Sequence, residues 1–195
     1  MNGQPASPQP PRPGRKRSEE SRLAILAAAF DLIGEVGYGS LTVEGIAVRS
    51  GTGKQTIYRW WPSKADVLLD ALATKAELYV PIPDTGSYPA DLRAFLTASF
   101  ALIRHPQIIE GLRALMAEAQ LDPAFGERFR ESFLQPRREA LGAVLQRAQQ
   151  RGELPDGLSA DTITDIVFGT IWYRLLAIRK PFDAQLVEEL TSALT

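Results

Sequence analysis

The stretch "GTGKQTIYRWWPSK", Gly51 to Lys64, decides the reading of this chain. Two glycines, Gly51 and Gly53, sit almost side by side, and Pro62 closes the stretch. Between them lie the donors Lys54, Gln55, Thr56, Tyr58 and Arg59 and the indoles Trp60 and Trp61. Glycine ends a helix and proline stops one, so a short helix is predicted over "KQTIYRWW". Before it, Ser40 to Thr42 offers a cap for a second short helix, "VEGIAVRS". Two short helices joined by a tight glycine-containing turn form a helix-turn-helix, here spanning about 41–61. Ile57 and Trp61 are four apart and share a face, which can pack on Phe30, Leu41 and Ile46. Lys54, Gln55, Tyr58 and Arg59 then turn outward. Lys and Arg reach guanine edges or phosphates, Gln pairs with adenine and Tyr donates to phosphate.

Working outward, "MNGQPASPQPPRPGRKR" is proline-rich and polar and is expected to be a disordered arm over 1–17. Its basic cluster, Arg12, Arg15, Lys16 and Arg17, has two readings: a solvated tail, or an arm that lies along phosphates or enters a minor groove. Ser18 is expected to cap a first helix, with Glu19 and Glu20 in its first turn and Gly37 at its end. Leu23, Leu26, Phe30 and Ile33 recur along it at helical spacing. Ser63 caps a fourth helix, "KADVLLDALATKAELYV". "VPIPDTGSYP" reads as a loop, followed by helices at about 90–104, 106–120, 123–134, 136–151, 160–179 and 183–194. No period-2 alternation appears, so the fold class is all-α.

Composition limits the chemistry. There is no cysteine and one histidine, which excludes thiolate metal sites, disulfides, cysteine nucleophiles and multi-histidine centres. His105, before Pro106, reads as a capping or exposed residue. No P-loop, no GxGxxG after a strand and no nucleophile elbow occurs, so neither catalysis nor a cofactor is expected. No apolar run reaches the length of a membrane span and no secretory leader opens the chain; an intracellular, cytoplasmic protein is expected. The net charge of -1 hides an asymmetry. Residues 1–75 hold ten Lys and Arg against seven Asp and Glu, a balance of +3. The remainder holds twelve against sixteen, a balance of −4. That asymmetry suggests two jobs in one chain.

"LTVEGIAVRSGTGKQTIYRWWPSKADVLLDAL" resembles the DNA-binding region of tetracycline-repressor-type (TetR/AcrR) transcriptional regulators. The matching residues are Thr42, Ile46-Ala47, Gly51, Thr56-Ile57-Tyr58, Trp61, Ser63-Lys64 and Leu68, within a region of about 18–78. The resemblance implies that Thr42 touches phosphate from the start of the second helix. It implies that Lys54, Gln55, Thr56 and Arg59 face bases or nearby phosphates, and that Tyr58, Trp60 and Lys64 contact the backbone. Trp60 has an alternative, packing against the first helix. Gly45, Gly53 and Glu44 depart from the pattern; a carboxylate at 44 prefers cytosine N4 or water to other base edges.

Residues 79–195 resemble, less specifically, the helical domain that binds a small effector and forms the dimer in this family. In the 160–179 helix, Ile163, Ile166, Val167, Thr170, Ile171 and Ile178 line one side, and Phe168, Trp172, Leu175 and Leu176 another. So broad an apolar surface suits a two-fold helical interface, with Ile163, Val167, Ile171 and Ile178 as its candidates; the alternative is a central helix buried in a monomer. Phe95, Phe100, Met116, Phe125, Phe129 and Trp172 are candidates to line an effector cavity, or else plain core. The expected function is a homodimeric repressor of a palindromic operator, released by a small molecule. The alternative is an adaptor on the same fold that binds protein rather than DNA.

Overall fold

The computed structural model describes the backbone of residues 13–195 and the side chains from residue 18. Residues 1–12, and the side chains of Arg15, Lys16 and Arg17, lie outside the described residues, and with them the reading of a basic arm. Helices and turns make up what is described, with no strand among the described residues. The helices are α1 (Pro13–Ser40), α2 (Val43–Ser50), α3 (Lys54–Tyr58), α4 (Lys64–Tyr79), α5 (Tyr88–Ile103), α6 (Pro106–Leu121), α7 (Pro123–Phe129), α8 (Gln135–Arg151), α9 (Ala160–Trp172) and α10 (Ala184–Leu194). Stretches of π-helix follow α7 (Arg130–Leu134) and α9 (Tyr173–Ile178).

Three sequence expectations change. Ser18 does not cap α1, which already runs from Pro13, a residue whose missing N–H costs nothing in a first turn. Gly37 does end its regular course, with φ 70 and ψ 168. The break expected at Pro136 is absent. Proline cannot donate to the carbonyl four residues back, and the π turn Arg130–Leu134 carries the chain through without ending the helix. The 160–179 helix likewise changes to π geometry at Tyr173 and stops at Arg179, whose φ of 51 is left-handed.

One composition reading also changes. An 18-residue window within Ser18–Ser40 reaches a mean hydropathy of 1.4, long and apolar enough to cross a membrane. Leu, Ile, Val and Phe spaced along the helix, with four alanines between them, produce that value. Its face Ile25, Ala29 and Ile33 lies in the core of the protein.

Helix α6 joins the two halves. It packs against α1 and α4 on one side and against α5 and α7 on the other. Two glycines permit the approach. A Cβ on Gly111 would stand 2.8 Å from Leu72 Cδ1 of α4, and one on Gly34 of α1 would stand 2.6 Å from Gln107 Cγ of α6. Polar links cross the same seam. Tyr38 Oη donates to Glu118 at 3.0 Å, and burial with this bond pushes the Tyr38 pKa up. The carboxylate of Asp66, 6% exposed in the first turn of α4, accepts from Ser63 Oγ at 2.6 Å and from Arg128 Nε of α7 at 2.6 Å.

Candidate nucleic-acid interface and interior cavity

Helix α2 starts at Thr42, whose Oγ1 accepts from Gly45 N at 3.0 Å. A Cβ on Gly45 would lie 3.3 Å from that oxygen, which gives the glycine a local purpose despite its cost of about 1 kcal/mol in a helix. The Thr42 side chain remains exposed, with its hydroxyl proton free to donate. Gly51 closes α2 in the left-handed region at φ 66, and Thr52 N returns to Ala47 O at 3.0 Å. This turn aims α3 across α2.

Helix α3 is only five residues long, shorter than the eight-residue segment expected. What fixes it is burial. Ile57 is 0% exposed and Trp61, just beyond the helix, is 6% exposed. Trp61 Nε1 donates to Asp70 Oδ2 at 3.1 Å, and the two Asp70 oxygens also accept from Arg22 Nη2, at 2.7 and 2.9 Å. Asp70 on α4 thus locks the end of α3 to α1. Neither Asp70 nor Arg22 stands out in the sequence, because the three partners are distant along the chain.

With Ile57 and Trp61 inward, Lys54, Gln55, Tyr58 and Arg59 are exposed and Thr56 is half-buried. Lys54 Nζ donates to Glu44 at 2.8 Å; the bond holds the Glu44 carboxyl below its ordinary pKa and the Lys54 ammonium above its own. So the carboxylate at 44 is engaged with the lysine of the next helix. Trp60 packs edge-on against Trp61 with centroids 5.3 Å apart, under the Arg59 guanidinium at 5.6 Å. Lys64 is turned inward. Its ammonium donates to Tyr38 O and Leu41 O, both at 2.9 Å, and stands 4.4 Å from the centroid of the Tyr38 ring. In this state Lys64 closes the end of α1 and Trp60 packs; the exposed face is formed by Thr42, Lys54, Gln55, Tyr58 and Arg59.

In the second half, a cavity of about 380 Å³ opens between α4, α5, α6, α8 and α9. Of the six expected lining residues, Phe95 and Trp172 border it. Phe100 instead meets Phe182, with centroids 5.3 Å apart. Phe125 and Phe129 stack behind the wall, Phe129 edge-on to Trp172 at 6.2 Å, and Met116 packs on the core away from the cavity. Sequence reasoning missed Ser99, Phe133, Arg137, Phe168 and the α4 residues Leu72 and Ala76. Phe133 sits in the π turn, where helical spacing misplaces it.

The interface candidates divide the same way. Ile163 and Val167 are 0% exposed and Ile171 is 5%, so all three face the core of their own chain; Ile178 is on the surface. The apolar residues left outside are Ile166, Tyr173, Leu176 and Ile178. Burial runs along 163, 167, 171 and 175, four apart on one face, while 166 and 173 lie exposed.

A helix-turn-helix with an exposed polar recognition face, attached to a helical body, defines a DNA-binding transcriptional regulator and not an enzyme. The family description "Bacterial regulatory proteins, tetR family" matches residues 25–71, and "Tetracyclin repressor-like, C-terminal domain" matches residues 82–194. The chain belongs to the TetR family. It is 39% identical over 165 residues to the uncharacterized HTH-type transcriptional regulator YdeS of Bacillus subtilis, covering 84% of this chain and 82% of that one. It is 28% identical over 166 residues to the DNA-binding transcriptional repressor TetR of Mycobacteroides abscessus, covering 82% of this chain and 84% of the relative. The crystal structure of the TetR family transcription regulator SCO0332 superposes with a TM-score of 0.77 at 31% identity, over 89% of this chain and 95% of that one.

Proposed function

We propose that this regulator is a homodimeric repressor acting in the cytoplasm, which binds a palindromic DNA operator and is released by a small molecule in the interior cavity. The observation that carries the DNA reading is α3 itself: held by buried Ile57 and Trp61, it offers Lys54, Gln55, Tyr58 and Arg59 to a major groove. Thr42 donates to phosphate from the start of α2. Thr56 contributes at the edge of the same face. Trp60 and Lys64 position this face more than they touch DNA, and Arg15 and Arg17 extend the contact along the backbone. Division of labour falls near residue 79, with 18–78 for DNA and 79–195 for ligand and partner.

The dimer reading rests on Ile166, Tyr173, Leu176 and Ile178, apolar side chains between 37% and 59% exposed on one segment. Pairing this segment with its copy across a two-fold axis covers them and sets two α3 helices one DNA turn apart, about 34–36 Å. The release reading rests on α4. Leu72, Ala76 and Val80 border the cavity, while Asp66 at the other end of the same helix is held by Arg128. A ligand that prefers a different position of α4 changes the spacing of the two α3 helices, and affinity for the operator falls by that preference.

The test is a selection of genomic fragments by the purified protein, repeated with Tyr58→Phe and Tyr173→Asp. The expected result is one palindromic site, bound more weakly by Tyr58→Phe and bound poorly by a Tyr173→Asp protein that runs as a monomer in light scattering. Recovery of no site above background at moderate salt overturns the repressor reading in favour of an adaptor.

A further inference from the structure

The cavity carries chemistry that names the class of its ligand, an inference that rests on the effector reading above. Its wall is largely apolar, with Phe95, Phe133, Phe168 and Trp172 among the lining residues. Of the four polar residues in this lining, Ser99 and Arg137 hydrogen-bond to no side chain among the described residues. Ser99 is 9% exposed and borders the cavity, yet its hydroxyl has no hydrogen-bond partner among the described residues. A hydroxyl that opens onto a cavity without a protein partner is free to bond a polar atom that enters it.

Arg137 is the second. One of its N–H groups donates to Ala76 O at 3.0 Å, and it forms no ion pair with a carboxylate among the described residues. It is half-buried, and desolvation lowers its pKa against a smaller opposing effect of the Glu77 charge. Its neighbour Arg138 differs: it is matched by Asp165, with Nη1 2.7 Å from Oδ1. The charges bordering the cavity are therefore Arg137, Arg138 and Asp165, an excess of one positive charge. A cationic ligand is repelled there, and a neutral one leaves the guanidinium unmatched. A carboxylate matches its planar fork of donors.

Size narrows the class further. At about 30 Å³ per heavy atom, the share of a water in the liquid, 380 Å³ holds about a dozen heavy atoms. We propose that the cavity binds an apolar monocarboxylate of about this size, its ring or chain among the apolar side chains and its carboxylate shared by Arg137 and Ser99.

The test titrates full-length protein by calorimetry with two matched pairs: 2-naphthoate against 2-naphthalenemethanol, and decanoate against 1-decanol. Operator release is measured in parallel with the same compounds. At least one acid is expected to bind about tenfold or more tightly than its alcohol, since it gains a charge-assisted contact. In Arg137→Gln, which keeps a donor for Ala76 O, that ratio is expected to fall towards one. Ser99→Ala is expected to weaken the acid while the melting temperature holds. Equal binding of acid and alcohol, an unchanged ratio in Arg137→Gln, or binding of none of the four overturns the ligand class. If the alcohols bind equally and release the operator, the class falls and the effector reading stands. If the acids bind with the expected ratio but the operator stays bound, the class stands and the effector reading falls.

Discussion

The two sites of this regulator are built in opposite ways. The recognition face is convex and comes from one short segment, with five exposed groups on or beside α3 held by two buried anchors. The cavity is concave and comes from five helices, none of which supplies more than part of its wall. A site on one helix depends on local spacing, so its residues stand together in the chain. A cavity depends on how helices diverge, and residues 72, 99, 137 and 172 meet only when they pack. Damage should therefore stay local at the first site and spread through the links at the second.

The strongest attempt to break this contrast is Ile57→Ala. Removing a fully buried side chain costs about 2–5 kcal/mol at comparable core sites. It should loosen α3 and abolish operator binding, while calorimetry still detects ligand in the cavity. Loss of both functions at a temperature where the fold persists would show that the sites are not separable. Asp66→Ala comes next. It leaves the Ser63 hydroxyl and the Arg128 guanidinium without their shared carboxylate and should cost about 1–3 kcal/mol in denaturant unfolding. The ratio of operator affinities with and without ligand should shrink; an unchanged ratio removes the α4–α7 link from the route of release.

Arg59→Ala should leave unfolding and ligand binding untouched. Against a base edge, its loss weakens the operator complex by about 1–3 kcal/mol and relaxes one position of the sequence. Against phosphate, the loss is uniform and the salt slope falls by about one. Either result sharpens the comparison; no effect on DNA removes Arg59 from the face. Glu44→Gln should have the smallest effect. The Glu44 carboxyl is held below its ordinary pKa by Lys54, so the pair stabilises the protein above the ordinary carboxylate range and is lost as pH falls through the lowered value. The melting temperatures of wild type and variant should differ slightly at pH 7 and converge towards pH 3. Operator affinity should rise less than about threefold as Lys54 is freed, since exposed pairs are weak.

The sequence made α2, α3 and α4 legible because their ends carry chemistry: Thr42, Gly51, Gly53, Pro62 and Ser63 each satisfy or interrupt backbone hydrogen bonds at a fixed place. It also made the all-α class legible through the spacing of apolar residues. It misplaced the start of α1, because Pro13 opens a helix as readily as Ser18 caps one, and it put a break at Pro136 that a π turn absorbs. It marked both sides of α9 as apolar without telling which is core. Ile163, Val167 and Ile171 looked free for a partner, but packing against the body of the chain takes them and leaves Ile166 and Tyr173 outside.

Lys64 marks the boundary between the two kinds of knowledge. Its position beside the recognition helix is a matter of sequence, and so is its charge. That its ammonium turns back to Tyr38 and Leu41 is decided by where Gly37 ends α1, twenty-seven residues earlier. What the sequence determined by itself is the helical architecture, the family and the outward face of α3, since these depend on periodicity and on caps within a few residues. The tertiary structure alone decided the cavity, the Arg137 and Ser99 that no side chain matches, and the free side of α9. Those depend on which distant surfaces exclude water together, and burial is a property of the packed chain, not of any one stretch of it.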